Sequence, residues 1–225
     1  VLDIIEKYDI LGAFWMTIRL AFFSAIGALV IGTVLAVMRV SPVAILRRLG
    51  SFYVNTVRNT PLTLLVFFSI AGPYYILQIS LTDVNSPTAL VDNGIRWAIV
   101  ALAVYHAAFV CEALRSGVNT VPLGQAEAAR SIGLTFGQSL REVILPQAFR
   151  GSIAPLGSVL IALTKNTTVA SVIGVAEASL LMSEIIENET ASVTVFLVFA
   201  LGFVVLTLPV GVFFTSLSRR LAVKR

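Results

Sequence analysis

Residues 124–146, GQAEAARSIGLTFGQSLREVILP, are the one long stretch in the middle of this chain that could not sit in hydrocarbon. Strongly hydrophobic runs flank it on both sides. Of 225 residues, 57% are hydrophobic and 12% charged, with a mean hydropathy of +0.93. Ordinary soluble domains are about 45–50% apolar and about 25% charged. The chain therefore reads as a membrane protein, and this stretch as a connection between two of its spans.

The apolar runs approach or exceed the ~20 residues a helix needs to cross ~30 Å of hydrocarbon. They predict spans near Leu11–Val37, Pro61–Ile79, Trp97–Leu114, Ile153–Val175 and Val193–Leu217. Continuous runs of this length fit helices, whereas a barrel needs alternating segments of ~10 residues. The expectation is an all-α integral membrane protein with five transmembrane helices. It forms a single domain over 1–225, with a loop at about 116–150.

Charge gives the orientation. Twelve of the sixteen Lys and Arg residues lie in alternate connections, at Arg39, Arg47, Arg48 and Arg58, then Arg115, Arg130, Arg141 and Arg150, then Arg219, Arg220, Lys224 and Arg225. The other connections hold Lys7 and Arg96 beside nine carboxylates, Asp3, Glu6, Asp9, Asp83, Asp92, Glu177, Glu184, Glu187 and Glu189. By the positive-inside rule the N-terminus is outside, the C-terminus is cytoplasmic, and the opening stretch is a cytoplasmic loop. The net charge of +4 expresses this bias and gives no reason to infer nucleic-acid binding. VLDIIEKYDI lacks the positive n-region of a secretory signal, so no cleaved leader is expected. The single cysteine, Cys111, reads as a packed small hydrophobe.

Within the loop, Gln125–Ser131 is a good helix former that Gly133 should stop or bend. A second, amphipathic piece follows, with Thr135 or Ser139 as its cap, Phe136, Leu140, Val143 and Ile144 on one face, and Pro146 at its end. Ala128 and Ala129 would let another protein's groove approach the backbone closely. On the physics alone, an interfacial hairpin that merely joins two spans fits equally well.

The spacing adds a resemblance. Glu127-Ala128-Ala129, three residues, Gly133, nine residues and Val143-Ile144-Leu145-Pro146 resemble the EAA signature of ABC importer permeases, EAA-x3-G-x9-I-x-LP, with Val143 in place of isoleucine. Val57-Arg58-Asn59-Thr60-Pro61-Leu62 is similar to the R-G-T-P-L of polar amino acid permeases. The run Phe109-Val110-Cys111-Glu112-Ala113-Leu114-Arg115-Ser116-Gly117-Val118 is similar to their A-Y-x-x-E-x-x-R-G-G-I. The family's K-D-T-S-L appears as Lys165-Asn166-Thr167-Thr168-Val169. The RNTPL and KNTT forms look like actinobacterial glutamate importer permeases.

This resemblance implies the type I ABC importer permease fold, in the plasma membrane of a bacterium. It implies a coupling helix between the third and fourth spans, with Glu127, Ala128, Ala129, Arg130, Gly133, Leu134, Leu145 and Pro146 meeting the ATPase. It implies three kinds of partner: a second and different permease chain, two ATPase subunits that carry ATP and Mg, and an extracytoplasmic amino-acid-binding protein. The chain needs no cofactor of its own, and its substrate is a polar amino acid, glutamate ahead of glutamine, aspartate or a basic amino acid. G-x-x-x-x-G-K-[ST] is absent from the sequence, as are H-E-x-x-H, G-x-S-x-G and an acidic pair at membrane depth. A transport subunit thus reads better than an ATPase or an intramembrane enzyme, and a channel or secondary carrier would not need the loop.

Tyr105 and His106 fall near the middle of the third span, and Thr164, Lys165 and Asn166 at matching depth in the fourth. Polar groups there must face protein, water or ligand. With Thr167 they are candidates for the substrate path. Lys165 has two open roles, one toward a substrate carboxylate and one toward an acid or helix carbonyls at a subunit interface. His106, the single histidine, suits interhelical hydrogen bonding better than a metal site. Arg58, Pro61, Glu112 and Arg115 are assigned gate or structural roles, with Glu112 and Arg115 as an exposed i,i+3 pair. Arg19 should snorkel, and Gly72-Pro73 should kink or end the second span. Phe52, Tyr53, Tyr74, Tyr75, Trp15 and Trp97 read as interfacial aromatics. Gly27, Ala28, Gly32 and Ala36 offer a close-packing face.

Overall fold

A computed structural model describes residues 6–189 and 192–221, and within these every regular element is helical. Asp3, Lys224 and Arg225, and the side chain of Phe136, lie outside what is described. The elements are α1 (Ile10–Val40), α2 (Ala44–Arg58), α3 (Leu62–Ile70), α4 (Ala89–Asn119), α5 (Leu123–Ser131), α6 (Leu145–Asn166), α7 (Ala178–Asn188) and α8 (Ser192–Leu221). A π-helical turn, Ala71–Ile76, extends α3. Another, Ser139–Ile144, leads into α6, and a 3₁₀ segment, Thr167–Ile173, follows it.

Among the described residues, four helical stretches are long and apolar enough to cross a membrane: Ile10–Val40, Ala89–Asn119, Ser139–Ile173 and Ser192–Leu221. The expected second span is shorter, Leu62–Ile76. It widens into its π turn at Gly72-Pro73, where proline has no N–H to continue the ladder.

α4 is the axis of the bundle, with α1 and α6 along its sides and α8 against α6. The α1–α4 contact is close because small residues line it. A Cβ on Gly32 would stand 2.6 Å from Val110 Cβ and 2.8 Å from the Ala107 carbonyl oxygen, and Ala28 is buried beside it. Only glycine permits that approach. At one end of the bundle, Phe14 of α1 stacks on Phe199 of α8 at 5.6 Å, over Ala178 and Ile185 of α7. Much of α8 turns outward, with Phe196, Leu201, Val205 and Phe213 exposed, as befits lipid or a partner.

Two aromatics depart from the interfacial reading. Tyr53 donates from its hydroxyl to the Val104 carbonyl at 2.8 Å, halfway along α4, and neighbouring Val54 is fully buried against Leu35, Ala107 and Cys111. Thus α2 packs into the bundle beside α1 and α4 rather than lying on its surface. A phenol inside hydrocarbon is held where a carbonyl accepts its proton. Trp97 is also turned inward, with a buried indole nitrogen. Phe52, Trp15 and Tyr75 remain exposed as expected. Cys111 is fully buried and free.

Candidate functional site

Three groups of predicted residues meet neighbours that sequence alone did not assign. At one end of α4, Glu112 forms ion pairs with three guanidinium groups. Arg39, at the end of α1, donates to its Oε1; Arg58, at the end of α2, lies 3.7 Å from Oε1; and Arg115 lies 3.9 Å from Oε2. The expected exposed pair, Glu112 with Arg115, is the longest of the three contacts. The main partner, Arg39, is 73 residues away and only 10% exposed, against 42% for Arg115. In sequence Arg39 was one more basic residue of a connection. Its role follows from α1 and α4 ending side by side.

Arg58 also sits over the Phe109 ring, 5.5 Å from its centroid. That ring lies 5.1 Å from Tyr105 and 6.1 Å from His106. Pro61 stands immediately before α3, where its missing N–H leaves no hydrogen bond unmade. A path of touching side chains therefore joins the charged hub to the middle of α4.

There the predicted polar residues partly converge. His106 is 1% exposed; its Nδ1 lies 2.8 Å from the Leu102 carbonyl oxygen, and its Nε2 is 3.1 Å from Asn166 Nδ2. The interhelical hydrogen bond expected of His106 is present. Thr164 and Thr167 are buried and turned back on their own helix, donating to the carbonyls of Leu160 at 2.9 Å and Thr164 at 2.8 Å. Tyr105 is half-buried beside the imidazole, 5.2 Å between ring centroids. Lys165 is exposed on this chain and has neither an ion pair nor a side-chain hydrogen bond among the described residues.

The polar loop folds as helix, tight turn, helix. α5 ends in a Schellman motif: Gly133 at φ +87° sends its N–H to the Arg130 carbonyl at 2.9 Å, and Leu134 sends its own to the Ala129 carbonyl at 3.1 Å. Glycine carries no penalty in this left-handed conformation. Thr135 and Gln138 then form a capping box. The Thr135 N–H donates to Gln138 Oε1 at 2.9 Å, and the Gln138 N–H returns to Thr135 Oγ1 at 3.4 Å.

Pro146 does not end this second piece, as the sequence reading expected. The Ser139–Ile144 π turn carries the helix directly into α6, with Pro146 in its first turn. In that turn the Leu145 N–H reaches the Leu140 carbonyl, a wider loop that accommodates a residue without a donor. Ala129 is likewise buried against its own chain. The outward side of α5 presents Leu123, Glu127, Ala128 and Arg130, followed by Ile132, and Leu123 and Ile132 are 82% and 77% exposed. Leu134 is half-buried, while Leu145 and Pro146 are exposed. Exposed apolar residues next to charges suit a protein partner better than free solvent. Among the described residues no group of three His, Cys, Asp or Glu side chains could hold a metal ion.

Comparison with known proteins accords with this geometry. Residues 28–223 match the family model described as the binding-protein-dependent transport system inner membrane component. The glutamate transport system permease protein GluC of Corynebacterium glutamicum is 58% identical over 218 residues, 96% of each chain. GluC of Corynebacterium efficiens is 54% identical over the same shares. The crystal structure of an amino acid ABC transporter with histidines is 26% identical, with a TM-score of 0.83 and 97% of each chain covered.

Proposed function

Because the chain belongs to the family of binding-protein-dependent transport system inner membrane components, we propose that it forms half of the transmembrane path of an ATP-driven glutamate importer. It is a multi-pass membrane protein and a transport component rather than an enzyme. The observation that carries the substrate is the 58% and 54% identity, along 96% of the chain, to two permeases named for glutamate transport.

In this reading α1, α3, α4, α6 and α8 are five spans of the bacterial plasma membrane, with the arginine-rich end of the bundle toward the cytoplasm. A second, homologous permease completes the path, and a binding protein delivers substrate from outside. Two ATPase subunits bind ATP and Mg, since this chain has no P-loop. α5 and its glycine turn seat in the ATPase, with Leu123, Glu127, Ala128, Arg130 and Ile132 as the contact face. Closure of the ATPase dimer moves this segment. Beyond the Gly133 turn, residues 136–144 and α6 run on as one helix to Asn166, so motion passed through the turn reaches Lys165 and Asn166 along it. The Glu112 hub, which ties the ends of α1, α2 and α4, holds the inner gate.

The test is reconstitution in liposomes with the cognate permease, ATPase and binding protein, following ATP-dependent uptake of labelled glutamate, glutamine, aspartate and arginine. Glutamate uptake that Glu127→Arg and Gly133→Pro abolish is expected. Uptake indifferent to ATP and to both changes would return the chain to a channel or secondary carrier, and ATP-driven uptake of another amino acid would overturn only the substrate.

A further inference from the structure

Resting on the glutamate reading, we propose that the His106–Asn166 pair makes this path selective for an anionic substrate by keeping position 166 neutral beside Lys165. His106 uses both ring nitrogens within the chain. The Leu102 carbonyl can only accept, so Nδ1 carries the proton, and Nε2 takes the one offered by the Asn166 amide. No donor or acceptor of the imidazole is left for a substrate. His106 is a positioning residue, and Asn166 is the group it positions.

The arrangement discriminates between two side chains of nearly equal size. An amide at 166 donates to Nε2 and leaves its carbonyl oxygen free, with no partner among the described residues. A carboxylate there would set its charge against the Nε2 lone pair of a buried ring and form a ready partner for Lys165. With an amide at 166 this pair carries no charge, and the adjacent ammonium is left uncompensated.

The rest of the membrane interior agrees. The five spans read from sequence contain one carboxylate, Glu112, and three arginines surround it. At the depth of Lys165 the chain therefore offers positive charge with no acidic competitor. A lysine at that depth needs water, protein or ligand to face. An amino acid with two carboxylates meets these groups directly, one carboxylate on the Lys165 ammonium and the α-ammonium on the Asn166 carbonyl. A cationic substrate would meet repulsion at the same place.

The experiment uses the full reconstituted complex with saturating glutamate-loaded binding protein, so that delivery does not limit uptake. Asn166→Asp is expected to lower glutamate uptake at least tenfold below Asn166→Ser, which also removes the amide but keeps position 166 neutral. Because a carboxylate facing His106 could disturb assembly, Asn166→Asp is also combined with His106→Gln, whose amide can donate to it. That double variant should assemble and show ATPase stimulation by the binding protein, yet remain at least tenfold slow in glutamate uptake. An assembled double variant that takes up glutamate like wild type overturns the proposal. Wild-type complex that takes up no glutamate overturns the functional reading instead.

Discussion

The guanidinium of Arg58 lies 3.7 Å from the Glu112 carboxylate, yet Arg39, from another helix, holds that carboxylate more closely. One acid shared by three bases ties together the ends of three helices. Removing it leaves the bases facing one another.

Glu112→Gln should destabilise the protein by about 1–3 kcal/mol, the range for losing a hydrogen bond to a charged group, with partial exposure holding it toward the lower end. Among the arginines the cost of alanine substitution should fall in the order Arg39, Arg58, Arg115: Arg39 is 10% exposed and closest to Glu112, and of the two others, similarly exposed, Arg58 is nearer and also covers the Phe109 ring. Arg115→Ala should cost under ~1 kcal/mol. Thermal unfolding of the purified complex in detergent ranks the variants, and equal costs for Arg39 and Arg115 would contradict the shared-acid arrangement.

Gly32→Ala should be destabilising by about 1–3 kcal/mol, because its methyl would meet Val110 and the Ala107 carbonyl inside van der Waals contact. Gly124→Ala is the matched control. Nothing lies within 4 Å of its added methyl, and that variant should unfold within a degree or two of wild type.

Gly133→Ala must place a side chain at φ +87°, at a cost of about 1–2 kcal/mol. The expected result is weaker co-purification of the ATPase and slower uptake, with Gly133→Asn less impaired than Gly133→Ala because asparagine tolerates the left-handed region better. Equal activity of Gly133→Ala and wild type would mean that the turn is not needed for coupling.

Glu177 precedes α7 and is fully buried, and its carboxylate accepts the N–H groups of Ser179 at 2.9 Å and Leu180 at 3.0 Å. Burial pushes its pKa up from 4.5 to about 7, against the pull of those two bonds. A pKa raised in the folded state gives stability that is fully present below pH 4.5 and lost as pH rises toward and through 7. The span of the effect is on the order of 3 kcal/mol. Melting temperature should therefore fall between pH 5 and pH 8 in wild type, to be tested at about those two values, and Glu177→Gln should flatten that fall. A wild-type slope unchanged in the variant would assign the dependence to other groups.

The sequence by itself determined the helical membrane class, the long apolar helices at four of the five expected spans, the contrast in charge between alternate connections and the helix, glycine, helix form of the loop. Each rests on local physics: hydrocarbon thickness sets run length, and a left-handed turn selects Gly133. It also brought His106 and Asn166 to one depth, because depth follows from counting residues along a helix.

Only the tertiary structure decided which partners those residues have. Arg39 joins Glu112, Tyr53 reaches Val104, and His106 meets Asn166 because α1, α2, α4 and α6 cross at particular angles and heights, and hydrophobic periodicity does not encode rotation about an axis. Pro146 was misread for a related reason. A proline ends an ordinary helix, but a π turn just before it widens the ladder enough to continue, and that turn appears once the backbone is packed.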